Sequence, residues 1–152
     1  SMSGELTQKL VDSINFGSGF KTIEYLASAI VDLEIHSSGP YSDFENVQTK
    51  ILEELDMPEG IIMRHATSNF SHIFSGDGYS SGYYSYLWSE VMDSDAFEAF
   101  RERNDFFDKE LSKRLESFIY SSGGSVEPDK LYQSFRGRDP SIEPLLRGRG
   151  LI

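Results

Sequence analysis

Five stretches rich in glycine, proline, serine or asparagine interrupt this chain, at Asn15–Gly19, Ser37–Pro40, Met57–Gly60, Ser75–Gly78 and Ser121–Ser125. Such residues punctuate regular structure, so every element must fit between these breaks. Between them the apolar residues recur with the 3.6-residue period of a helix. Leu6, Leu10, Val11 and Ile14 set the first helix. Ile23, Leu26, Ala27, Ile30, Val31 and Leu33 give a second, from about Phe20 to His36, an apolar face broad enough for burial on more than one side. Ser42 or Asp43 caps a third, Asp43 to Asp56, with Val47, Ile51 and Leu55 inward. Residues 61–69 fit a loop or a short helix equally well. Helices are then predicted over Tyr79–Met92, over Asp95–Asn104 with Ser94 as cap, and over Phe106–Ser121 with Leu111, Leu115, Phe118 and Ile119 inward. Short helices over Pro128–Phe135 and Pro140–Leu146 complete the chain. No segment alternates as a strand does, so the fold class is all-α with short connections.

The 152 residues are enough to bury a core. Ser1-Met2 reads as an expression scar and residues 3–152 as one helical unit. The net charge of −11 argues against nucleic acid and against an anionic membrane surface. No apolar run reaches the length of a membrane span, and the start carries no signal-peptide pattern. Cytoplasm is the expected compartment, with the periplasm left open. There is no cysteine, hence no disulfide framework and no thiolate metal site. Charge is uneven: residues 1–127 hold 9 Lys+Arg against 22 Asp+Glu, and residues 128–152 hold 5 against 3. The basic tail is expected to dock on the acidic helices.

The segment Phe70 to Trp88 is the richest in chemistry. His72 and the phenols of Tyr79, Tyr83, Tyr84 and Tyr86 can all donate hydrogen bonds. Donors gathered around a flexible loop suit the stabilisation of a developing oxyanion. Gly76 and Gly78 let backbone approach a ligand closely. On a helix, Tyr79, Tyr83, Tyr86 and Glu90 would share one face, and Tyr84, Leu87, Trp88 and Val91 would form a core stripe on another. The ordinary alternative is a row of amphipathic tyrosines at a domain edge. His65 and His72 are seven apart and could begin a metal site, but zinc needs a third ligand, and no His-Glu-x-x-His occurs here. No metal site is expected in this chain. His36 is expected to meet the C-terminus of its helix.

His72-Ile73-Phe74, the glycine loop Ser75–Gly78, and Tyr79-Ser80-Ser81-Gly82-Tyr83-Tyr84-Ser85-Tyr86-Leu87-Trp88 closely resemble the C-terminal region of the thimet oligopeptidase family of zinc metallopeptidases. Within that family the branch it most resembles looks like the bacterial peptidyl-dipeptidases, or dipeptidyl carboxypeptidases. The ending, Tyr132 to Pro140 and then Pro144-Leu145-Leu146 and Arg149-Gly150-Leu151, is similar too. Ser75 and Asp77 stand where the family often has glycine. The resemblance implies the C-terminal part of a zincin-type, neurolysin-like helical enzyme whose zinc-binding segment precedes everything present here. It implies that Tyr86 donates to the oxyanion of a tetrahedral intermediate. Tyr83 would assist it or bind the substrate backbone, His72 would bond substrate or transition state, and Tyr79 with Gly76 and Gly78 would close over the peptide. Tyr84 and Trp88 are assigned to packing, and Arg64 to the surface rather than to a substrate carboxylate. The implied partners are short peptides and the missing zinc-binding part, the implied cofactor is Zn2+ in the full-length protein, and the isolated chain is expected to be inactive. The competing expectation is a stand-alone, non-catalytic helical peptide-binding module.

Overall fold

The structure is a computed structural model that describes residues 2–152. These residues are helical, without strands, as the periodicity requires. Where the sequence suggests one helical unit over 3–152, the chain forms two compact units that divide between Tyr86 and Leu87.

The first unit holds α1 (Gly4–Ile14), α2 (Ser18–Ser37) and α3 (Phe44–Glu54). Each start has a local cause. Ser3 caps α1 by accepting from the Leu6 N–H, and Asp43 caps α3 by accepting from the Asn46 N–H. Gly17, at φ +72°, makes the left-handed corner from which α2 departs. Val31 and Ile35 of α2 pack against Val47 and Ile51 of α3, and Met63, Phe70 and Ile73 close this core from the following segment. That segment is neither open loop nor α-helix: it makes two short 3-10 turns, Thr67–Asn69 and Ser71–Phe74. The Gln48 side-chain oxygen of α3 accepts from both the N–H and the hydroxyl of buried Thr67 at 3.0 Å, which fixes the first turn. The periodic face of α1 is left in solvent: Leu6, Leu10, Val11 and Ile14 are all exposed.

The second unit, Leu87–Ile152, contains nearly all of α4 (Ser85–Glu102), then α5 (Lys109–Leu115), α6 (Pro128–Arg136) and α7 (Glu143–Gly148). The break expected at Ser94 does not occur, and one helix runs through it. The long helix expected over Phe106–Ser121 is shorter: Asp108 caps α5 by accepting from the Leu111 N–H at 2.7 Å, and α5 passes into a π-helical turn over Glu116–Tyr120. Ala99, Phe100, Leu111 and Phe135 form the core.

The tail docks as its charge predicts. Asp95 is fully buried on α4. Its carboxylate accepts from the Tyr132 hydroxyl at 2.7 Å and from Arg138 at 2.6 Å, and it pairs with Arg136 at 3.2 Å. Arg136 also forks onto Glu102 through both terminal nitrogens. Arg147 reaches Glu98 and Arg149 reaches Glu90. Burial pushes the Asp95 carboxyl up, but the bonds from Tyr132 and Arg138 and the charges of Arg136 and Arg138 outweigh it, so the group sits below the ordinary carboxylate range.

Candidate functional site

The site lies in the first unit and is built from α2 outward. Asp32 sits on the buried face of α2 and is wholly inaccessible. Its carboxylate accepts the Ser81 N–H at 3.1 Å and the Tyr83 N–H at 2.9 Å. It also accepts from His36 Nδ1 at 2.8 Å. Both partners of His36 Nδ1, the Asp32 carboxylate and the Asp32 carbonyl, are acceptors. That nitrogen therefore carries the proton. His36 thus meets the last turns of its helix, as expected, and in doing so braces Asp32.

This anchor explains why the tyrosine segment is not the helix its spacing suggests. Tyr79 to Tyr84 form successive turns, and α4 begins only at Ser85. Two amide hydrogens that a helix would use internally go to Asp32 instead. Ser81 adopts φ +56°, which ends any helical continuation. A Cβ on Gly82 would come within 3.3 Å of the Tyr79 carbonyl, so a side chain there would crowd the turn. Gly76 takes φ +139°, a conformation open to glycine. The expectation of one helical face carrying Tyr79, Tyr83, Tyr86 and Glu90 is thereby corrected.

The tyrosines nevertheless converge, and on His72. The Tyr79 ring stands edge-on to the imidazole at 5.0 Å, Tyr83 at 5.8 Å, and Tyr86 lies tilted at 6.0 Å. The Tyr86 hydroxyl is 3.3 Å from His72 Nε2. In one tautomer the phenol donates to Nε2; in the other Nε2–H donates to the phenol oxygen and the Tyr86 O–H is released to an incoming acceptor. A carbonyl oxygen gaining negative charge is such an acceptor. Tyr79 and Tyr86 are half exposed, whereas Tyr83 and His72 are partly covered. Gly76 and Gly78 lie exposed in the turn between His72 and Tyr79. Tyr84 and Trp88, assigned to packing from the sequence, are each about half exposed; of their expected stripe only Val91 is buried. Arg64 is on the surface.

Three contributors escape a local reading of the sequence. Asp32 is one; its signal is an acid set among Ile30, Val31 and Leu33 at a position that must be buried. Tyr25 is the second: its ring stacks on Tyr83 at 5.0 Å and its hydroxyl donates to the Tyr83 carbonyl at 3.1 Å. His65 is the third. Its ring lies flat on Phe70 at 4.4 Å and edge-on to Tyr83 at 6.1 Å, and its buried Nδ1 has no hydrogen-bond partner. Burial, then the charges of Arg64 and His72, hold His65 below the ordinary imidazole range against the opposing pull of Glu24. Among the described residues no three His, Cys, Asp or Glu come together to hold an ion. Nor is any described helix long and apolar enough to cross a membrane.

Comparison with known proteins gives one consistent result. The family model of peptidase family M3 matches residues 1–151. The chain is similar to the organellar oligopeptidase A, chloroplastic/mitochondrial, of Arabidopsis thaliana, at 39% identity covering 97% of this chain and 19% of the relative. It is similar to the dipeptidyl carboxypeptidase of Escherichia coli K12, at 34% identity covering 99% of this chain and 22% of the relative. It is also similar to the oligopeptidase A of Haemophilus influenzae, at 34% identity covering 97% and 22%. The chain therefore spans about a fifth of the length of the curated relatives it matches.

Proposed function

This chain belongs to peptidase family M3, and from that premise we propose that it is the substrate-binding and transition-state-stabilising part of a longer zinc peptidase that hydrolyses oligopeptides and releases dipeptides from their C-termini. The observation that carries the reading is the convergence of Tyr79, Tyr83 and Tyr86 on His72, with the Tyr86 hydroxyl 3.3 Å from Nε2. Tyr86 donates to the scissile carbonyl oxygen as charge develops on it. His72 sets the phenol's hydrogen-bond direction and bonds the substrate. Tyr83, fixed by Asp32 and Tyr25, supports Tyr86 from a ring centroid 5.5 Å away. Tyr79 and the turn through Gly76 and Gly78 close over the peptide.

The described residues offer no ligand set that fits zinc, so we assign the metal to residues outside this chain. The chain alone is expected to bind peptide and not to cut it. The name of the Escherichia coli relative, a dipeptidyl carboxypeptidase, supports release of dipeptides.

The test is Tyr86→Phe in the complete reading frame, assayed on a blocked oligopeptide with product analysis. We expect kcat to fall about a hundred- to a thousand-fold, as for loss of one oxyanion donor, with KM and helical content unchanged. A kcat within twofold of wild type would overturn the role of Tyr86. Chelator-sensitive cleavage by this chain alone would overturn the division of labour. Products other than dipeptides would overturn the mode of cleavage and leave the site assignment standing.

A further inference from the structure

We propose that the second unit carries a separate binding site for an organic cation with a flat body, of the guanidinium or amidinium class. The site is a cleft of about 360 Å³ between α4 and the two ends of α6. Buried Tyr132 lines it together with Trp88, Pro128 and Pro140. Its chemistry is one-sided. The Tyr132 hydroxyl is already committed, donating to Asp95 at 2.7 Å. The only charged groups lining the cleft are two exposed carboxylates, Asp129 and Asp139. One Asp139 oxygen accepts from the Gln133 amide at 2.7 Å, which leaves the second for a ligand. The neighbouring arginines are already committed: Arg138 to the Asp95 carboxylate and, at 2.7 Å, to the Asp139 main-chain carbonyl, and Arg136 to Asp95 and Glu102.

Trp88 supplies the second half of the argument. Its side chain is 47% exposed at the wall of a concave, largely apolar cleft, where an indole face attracts a cation most strongly of the aromatic side chains. Two exposed carboxylates and an indole lining one cleft favour a flat cation over its neutral isostere. A neutral apolar guest would gain the indole and proline contacts but nothing from Asp129 or Asp139.

Trp88 is the only tryptophan in the chain, so its emission reports on this cleft without labelling. The experiment is a fluorescence titration of the chain with benzamidinium and, in parallel, with neutral benzamide. We expect a saturable change with benzamidinium and a dissociation constant about tenfold higher for benzamide, the difference one charge-assisted contact supports. The double variant D129N/D139N should bind benzamidinium about tenfold more weakly and benzamide as before. Asn at 139 keeps a carbonyl acceptor for Gln133, and the single variant D129N provides the same test with no internal bond disturbed. Competition then separates the sources: stronger displacement by a blocked arginine amide than by agmatine assigns the site to a peptide arginine, and the reverse to a free cation. Equal affinity for benzamide and benzamidinium, unchanged affinity in D129N and the double variant, or no saturable change would overturn the proposal.

Discussion

The carboxylate of Asp32 accepts the backbone N–H of Tyr83 at 2.9 Å, across 51 residues of sequence. The same carboxylate takes the Ser81 N–H and the His36 Nδ1–H. A buried carboxylate is costly unless its lone pairs are filled, and here three donors fill them. The chain thus uses one acid on α2 to hold the turn that carries its tyrosines. The position of Tyr83 is set by α2 rather than by the helix that follows it.

Asp32→Asn should therefore loosen the tyrosine turn. The substitution replaces one acceptor oxygen with an NH2 group that faces other donors. The expected loss is about 2–4 kcal/mol of stability in the first unit. Amide hydrogen exchange at Ser81 and Tyr83 should accelerate before the rest of that unit responds. A change below about 0.5 kcal/mol, the range of an ordinary surface substitution, would mean that Asp32 is not the anchor.

Most helices follow from local pattern. α2 and α3 stand within a few residues of where their apolar spacing and capping residues place them, because the deciding interactions lie within a turn or two. The tyrosine segment reads wrongly for a matching reason. Tyr79, Tyr83 and Tyr86 satisfy helical spacing, but the acceptor that claims the Ser81 and Tyr83 amides lies 49 and 51 residues earlier. Nothing in the segment itself announces it. Likewise Ser94 looks like a cap, yet the neighbouring Asp95 is drawn into the interior by Tyr132 and Arg138, 37 and 43 residues later. The clustering of these side chains was more legible than its geometry: Tyr79, Tyr83 and Tyr86 do gather with His72, but around its imidazole and not along a helix. Asp32, Tyr25 and His65 act through long-range contacts that spacing cannot encode.

His65 offers a pH test. Its folded-state affinity for a proton is below that of a free imidazole, near 6.5, because burial and the charges of Arg64 and His72 oppose protonation while Glu24 favours it. The unfolded chain thus takes up this proton first as pH falls. The resulting contribution to stability is complete above pH 6.5 and declines as the pH drops toward the folded-state value. The His65 ring resonances in NMR should titrate below 6.5, and Glu24→Gln should lower the midpoint further. A midpoint at or above 6.5 would contradict the geometry of a ring stacked on Phe70 with Nδ1 unpartnered.

Phe135 is the largest fully buried side chain, at 1% exposure. It packs with Ala99, Phe100 and Leu111. Phe135→Ala should cost about 3–5 kcal/mol, from lost apolar transfer plus the cavity left behind. Chemical denaturation of the second unit would measure it. Phe107→Ala, at 87% exposure, is the control and should change stability by no more than about 0.5 kcal/mol.

Asp95 gives the last expectation and concerns acid. The hydrogen bonds from Tyr132 and Arg138, with the charges of Arg136 and Arg138, keep its carboxyl below the ordinary value of 3.8 despite the opposing effect of burial. In the unfolded chain the group takes up a proton at higher pH than in the fold. Its stabilising contribution is therefore complete above the unfolded value and is lost as pH falls through the folded one. Asp95→Asn should flatten the acid unfolding of the second unit below about pH 4 and cost about 3–5 kcal/mol at neutral pH, since two arginines lose a buried partner. Because that variant is severe, Arg138→Gln provides a milder check: its side chain is 42% exposed, so the cost should be only about 1 kcal/mol. Carboxyl carbon NMR of Asp95 in Arg138→Gln should show its titration rising toward 3.8. An unmoved titration would mean that Arg138 does not hold the carboxylate in its charged form.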